Sequence, residues 1–122
     1  MKRILVVDDS SLSRELLVEA LSGPKYELKT AADGDQAVAA AEAFDPDLVL
    51  MDIQMPGLDG YGALQALRSH PRFLNLPVVA VTAHVLKAER DRALGAGFNG
   101  FLPKPIDLSM LRTYVAQMLN RP

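Results

Sequence analysis

The chain has 122 residues, 49% hydrophobic and 23% charged, a balance that suits one compact domain with one core and excludes a disordered or fibrous protein. A formal net charge of −2 gives no general attraction to nucleic acid or anionic lipid, so neither is an expected partner. With no cysteine there are no disulfides or thiolate metal sites, and no apolar stretch is long enough for a signal peptide or a membrane span; a cytoplasmic location is the expectation.

Residues 1–122 read as a single domain, without repeats, low-complexity tracts or linkers. Arg3-Ile4-Leu5-Val6-Val7 is an apolar run that predicts a buried strand ending in Asp8 and Asp9. Ser10 and Ser11 can cap a helix whose apolar face is Leu12, Leu16, Leu17 and Leu21, stopped by Gly23-Pro24. Tyr26 to Ala32 predicts a strand with partly alternating polarity, which places it at a sheet edge. Asp33-Gly34 reads as a turn. Ala37, Val38, Ala41 and Phe44 follow as a small-residue helical stripe, ended by Asp45-Pro46.

Leu48 to Met51 is the next buried strand, ending abruptly in Asp52 and the loop Ile53-Gln54-Met55-Pro56-Gly57-Leu58-Asp59-Gly60. Tyr61, Leu64 and Leu67 mark a third helix. Val78 to Val81 is a fourth buried strand, ending in Thr82. The fourth helix, about Val85 to Ala96, is charged through its middle and has only Leu86, Ala93 and Leu94 as anchors; Gly97 closes it. Phe98 to Leu102 predicts a short fifth strand, followed by Pro103-Lys104-Pro105. Leu108, Leu111, Val115 and Met118 predict the last amphipathic helix.

Strands alternating with helices predict a three-layer α/β domain of (βα)5 form, with a parallel five-stranded sheet in the order 2-1-3-4-5 and the site at the switch between strands 1 and 3. On that order Asp8, Asp9, Asp52, Thr82 and Lys104 meet at one sheet edge. Each has an ordinary reading alone: a helix cap for the Asp8-Asp9 pair, a turn cap for Asp52, a strand-end cap for Thr82, a solvated Lys104. None of these explains why all follow apolar runs at the same edge. Two carboxylates about 4 Å apart repel by roughly 4 kcal/mol at an effective dielectric near 20, so such a cluster protonates or binds a cation. All-oxygen donors suit Mg²⁺ or Mn²⁺. A cation there leaves Asp52 as a nucleophile toward phosphoryl groups, with Lys104 and Thr82 as donors to the developing charge.

The stretches Ile4 to Asp9, Leu50 to Gly60, Val81-Thr82-Ala83 and Lys104-Pro105, in this order and spacing, resemble the receiver domain of bacterial two-component response regulators, a CheY-like, flavodoxin-like fold. The resemblance covers essentially the whole chain. It implies that Asp52 accepts a phosphoryl group from the phosphohistidine of a sensor histidine kinase or phosphotransfer protein. It implies Mg²⁺ on Asp8, Asp9, Asp52 and the backbone carbonyl of Gln54, and Lys104 paired with a phosphoryl oxygen. Thr82 and Phe101 would be the switch pair, and Gln54 and His84 the positions that tune phosphate lifetime. The Lys104-Pro105 bond is expected to be cis. The face of the fourth helix, fifth strand and last helix would carry the signal to a protein target. Phe101 in place of the family's frequent tyrosine leaves this switch to work by packing.

Three rivals are weaker. A haloacid-dehalogenase-like phosphohydrolase wants Asp-x-Asp after its first strand, where this chain has Asp8-Asp9-Ser10. In a flavodoxin-like carrier, Asp8-Asp9 would repel the cofactor phosphate. In a pseudo-receiver the reactive residues would be incomplete. A start at Met1 favours a stand-alone single-domain regulator; the Pro105-Ile106-Asp107 ending also suits a receiver from a hybrid kinase.

Overall fold

The structure is a computed structural model that describes residues 1–83 and 86–120. Among these residues the order is β1 (Lys2–Val7), α1 (Ser11–Leu21), β2 (Tyr26–Ala31), α2 (Gly34–Phe44), β3 (Leu48–Asp52), α3 (Gly60–Arg68), a 3₁₀ turn (Pro71–Phe73), β4 (Val78–Thr82), α4 (Lys87–Ala96), β5 (Gly100–Pro103) and α5 (Leu108–Leu119). The strands form a parallel sheet in the order β2-β1-β3-β4-β5, as the sequence predicts. This is the CheY-like flavodoxin fold.

Alternation along the strands divides the core in two. Leu5, Val7, Val49, Met51, Val78 and Ala80 pack beneath α2, α3 and α4, with Ala37, Ala41, Ala63, Leu64, Leu67 and Ala93. Ile4, Val6, Leu48, Leu50, Val79 and Val81 pack on the other face against α1 and α5, through Leu17, Leu21, Leu111 and Val115. Both faces of β3 and β4 are therefore covered, which is why their sequences are continuously apolar. The more polar β2 takes an edge.

Several local expectations need correcting. Leu12 and Leu16 are 64% and 48% exposed; Ala20 joins Leu17 and Leu21 on the buried face instead. Leu12 and Leu16 line a groove with Ile106 and Leu108 that nothing among the described residues covers, so their hydrophobicity does not report burial. Asp33-Gly34 is not a free turn: Asp33 accepts from the Gln36 N–H as N-cap and Gly34 begins α2. Leu86 and Leu94 are exposed, leaving Ala93 as the buried anchor of α4. Phe98 is buried in the turn before β5, which starts only at Gly100 and takes in Pro103. The expected helix start at Val85 lies outside the described residues.

That turn is fixed from below. Gly97 caps α4 with φ 113°, a left-handed conformation that suits glycine. Arg68, at the end of α3, donates from Nη1 to the carbonyls of Phe73 (2.7 Å) and Leu76 (2.6 Å), and from Nη2 to Asn99 Oδ1 (2.9 Å) and the Gly97 carbonyl (3.4 Å). Burial lowers the pKa of this guanidinium. Arg68→Ala strands these acceptors, and we expect it to cost about 2 kcal/mol in urea denaturation. A loss below about 0.5 kcal/mol would mean that water replaces the guanidinium without penalty.

Candidate phosphoacceptor site

Strands β1, β3 and β4 deliver their last residues to one edge. Asp8 follows β1, fixed by its N–H donating to the Ala31 carbonyl at 3.1 Å. Asp52 ends β3 and Thr82 ends β4, and all three residues are buried. Asp9 is exposed beside them. Carboxylate oxygens of Asp8, Asp9 and Asp52 lie within 4.8 Å of one another, a cluster that can hold a metal ion. An all-oxygen set of this kind fits a hard divalent cation.

Lys104 reaches into the same place. Its Nζ donates to Asp8 Oδ2 at 2.8 Å and to Asp52 Oδ2 at 3.2 Å. Its backbone N–H donates to the Thr82 carbonyl at 2.8 Å, tying the end of β5 to the end of β4. The Lys104–Pro105 peptide bond is cis. Asp8 Oδ1 accepts from the Ser10 N–H and Asp52 Oδ1 from the Gln54 N–H, at 2.9 and 3.0 Å, so each carboxylate is oriented by the loop that follows it. Gln54 is exposed, and Phe101 is half-buried against the core layer under α4. His84 lies outside the described residues.

One supporting residue was not singled out from sequence. Arg14 Nη1 donates to the Asp8 carbonyl at 2.6 Å, bracing the acid from the first turns of α1. Its signal was its position four residues after the N-cap Ser10, one helical turn along, which returns its side chain to the loop.

A family model for the response regulator receiver domain matches residues 4–116. The chain belongs to that family. It is 42% identical over 109 residues to response regulator PleD of Caulobacter vibrioides, a match covering 89% of this chain and 24% of PleD. It is 41% identical over 118 residues to sensor histidine kinase RcsC of Salmonella typhimurium, covering 97% of this chain and 12% of that protein. The chain thus spans about a quarter or less of these curated relatives. The crystal structure of a sensor histidine kinase receiver domain from Pseudomonas aeruginosa, with a magnesium ion coordinated in its active-site cleft, superposes with a TM-score of 0.86 at 32% identity, covering 98% of each chain. This is a receiver domain of two-component systems.

The electrostatics of this receiver favour a cation. Burial raises the Asp52 carboxyl above its ordinary value of 3.8, and the charge of Asp8 pushes the same way; the Gln54 N–H and the Lys104 ammonium oppose this without reversing it. Burial alone would lower the pKa of Lys104, but its hydrogen bond to Asp8 and the charges of Asp52 and Asp8 outweigh that and hold it above 10.5. The signs differ in consequence. Lys104 contributes stability that is present below pH 10.5 and lost as pH rises through its higher folded value. Asp52 keeps its proton longer folded than unfolded, so the fold loses stability as pH rises from 3.8 through the raised value. In metal-free buffer the melting temperature of Asp52→Asn should therefore gain on wild type across that window and then level off, and Mg²⁺ at neutral pH should shrink the gap. A gap independent of pH would show that the Asp52 charge is not the destabilising element.

Proposed function

We propose that residues 1–122 act as one receiver domain that serves as a phosphoacceptor switch in a phosphorelay, with Asp52 carrying the phosphoryl group. The observation that supports this most is the bridging of Asp8 and Asp52 by Lys104 Nζ, at 2.8 and 3.2 Å, inside a three-carboxylate cluster. A carboxylate oxygen of Asp52 attacks the phosphorus of a phosphohistidine. A P–O bond forms, the P–N bond breaks, and its electron pair leaves on the donor imidazole. Water later attacks the same phosphorus and regenerates the carboxylate. The chain thus reacts at its own Asp52 rather than turning over a separate substrate as an enzyme does.

Asp8, Asp9, Asp52 and the backbone carbonyl of Gln54 would hold Mg²⁺ (or Mn²⁺), which supplies positive charge to the phosphoryl oxygens. Lys104 Nζ, already on Asp52 Oδ2, donates to one phosphoryl oxygen. The Thr82 hydroxyl turns toward another, and Phe101 on the neighbouring strand repacks behind it. The group is thus better bound in one of two arrangements, and that difference shifts the population. The α4-β5-α5 face passes the change to a protein target, while Gln54 and His84 set the phosphate lifetime.

The upstream partner is a histidine kinase or phosphotransfer protein. Exposed Leu12 and Leu16, with Ile106 and Leu108 beside Lys104 and Pro105, give such a donor an apolar ledge next to the site. No helix among the described residues is long and apolar enough to cross a membrane, which is consistent with a cytoplasmic setting. A second setting, a receiver segment within a hybrid histidine kinase, is favoured by the 41% identity to RcsC over 97% of this chain; the site chemistry is the same.

The test is incubation with acetyl phosphate and MgCl₂ followed by intact mass. One labile phosphoryl adduct is expected, and none with EDTA. An adduct formed equally well in chelator would remove the cation from the reaction, and no adduct under any condition would overturn the reading.

A further inference from the structure

The contact between α4 and α3 includes groups that phosphoryl transfer does not require. Arg92 of α4 places its guanidinium carbon 4.3 Å from the centroid of the Tyr61 ring. The same ring meets Phe98 edge-on, with centroids 5.7 Å apart and planes at 79°. The Tyr61 hydroxyl oxygen is buried and has no hydrogen-bond partner among the described residues. A buried hydroxyl without a partner destabilises the arrangement that contains it, and a cation over the ring stabilises it. Two opposed contributions therefore meet on one side chain.

The rest of α4 makes this pairing consequential. Its C-terminal end is fixed: the Gly97 N–H donates to Leu94, the Phe98 N–H donates to Ala93, and Arg68 reaches the Gly97 carbonyl. Its N-terminal end shows no comparable side-chain tie among the described residues. Leu86 provides no side-chain cap and is 72% exposed, and the buried anchor of the helix is Ala93. The Lys87–Asp91 ion pair lies within the helix and is exposed, so it does not hold α4 to the domain. Glu89 and Arg92 line one cleft with Tyr61, Asp59 and Thr82, about 520 Å³ in volume. Movement of the N-terminal end of α4 would reshape the space beside Thr82.

We propose that Arg92 stacked on Tyr61 is a latch that holds α4 in its resting position, and that the buried Tyr61 hydroxyl opposes the latch because it gains Glu89 as acceptor when α4 swings about its fixed end. The proposal deepens the receiver reading and rests on it. Thr82 shares the cleft, so whatever favours the released helix also favours the phosphorylated state, and the coupling runs both ways.

The experiment compares Arg92→Ala and Tyr61→Phe in the full chain with two readouts. One is amide hydrogen exchange over α4 in the metal-free, unphosphorylated protein; the other is the rate of labelling by acetyl phosphate with Mg²⁺. Arg92→Ala should raise both by roughly two- to fivefold, the worth of an exposed cation–ring contact. Tyr61→Phe keeps the ring and deletes the hydroxyl, and should lower both by roughly similar factors. Arg92 is exposed, so its loss does not threaten the fold. A merely structural role would move both variants in the same direction, and that result, or unchanged exchange over α4, overturns the latch. If wild type takes no phosphoryl group, the receiver reading fails and the exchange readout alone judges the latch.

Discussion

Asp52→Asn should abolish uptake of a phosphoryl group from acetyl phosphate, by on the order of a thousandfold or more, while leaving the domain folded. In the proposed reaction the carboxylate supplies the attacking oxygen, and an amide oxygen is a far poorer nucleophile. The variant should fold because its side chain replaces a carboxyl that burial already penalises. Lys104 keeps its 2.8 Å bond to Asp8, so no buried ammonium is left without a partner. Asp8→Asn is the informative comparison: it removes charge from the cluster but leaves the nucleophile, so labelling should slow and require more Mg²⁺ rather than vanish. Intact mass after a time course separates the two. Equal labelling of Asp52→Asn would move the nucleophile elsewhere, and Asp9 would then be the carboxylate to test.

Gly60→Ala should damage fold and chemistry together. Gly60 is the first residue of α3, and its N–H donates to the Ile53 carbonyl at 2.9 Å, folding the loop back onto the end of β3. A Cβ there would meet the Asp52 carbonyl oxygen and the Ile53 Cα, both at 2.6 Å. These are backbone atoms that cannot rotate away, so β3 or the loop must shift. We expect a loss of about 2 kcal/mol, typical of overpacking a tight site. Labelling of the folded fraction should slow on the order of 10- to 100-fold, because the displaced backbone carries Asp52, the proposed nucleophile. Gly95→Ala is the control. Nothing lies within 4 Å of its added methyl, and the residue is inside α4, so stability should rise by up to about 1 kcal/mol. If Gly60→Ala were as benign as Gly95→Ala, the loop would be soft and the placement of Asp52 would not depend on it.

The parts legible in the sequence were those where the physics is local. Leu48 to Met51 and Val78 to Val81 announce themselves as central strands because no polar residue interrupts them, and both faces prove to be covered. The acids follow because a strand that ends abruptly in Asp52 must expose that charge at the sheet edge or bind it. What was not legible depends on which neighbour arrives. Leu12 and Leu16 have the spacing of a core face, yet they face a groove left open between α1 and the β5–α5 segment. Phe98 resembles strand residues, but the grip of Arg68 on the preceding turn delays β5 to Gly100. The place of Lys104 between the carboxylates of Asp8 and Asp52 likewise depends on β5 arriving beside β4. Nothing near Gly60 in sequence reveals how closely its backbone approaches Asp52; that closeness exists only once the loop has closed.

The bridge made by Lys104 spans 96 residues to Asp8 and 52 to Asp52. Its donor follows the last strand and its two acceptors sit at the tips of the first and third. A chain still emerging from the ribosome, or one clipped before β5, can collapse around β1 to β4 and bury apolar surface, yet it has no ammonium to set between those acids. The bridge thus forms only with the final strand, after the long loops have been closed. These two contacts are therefore a mark of completed folding.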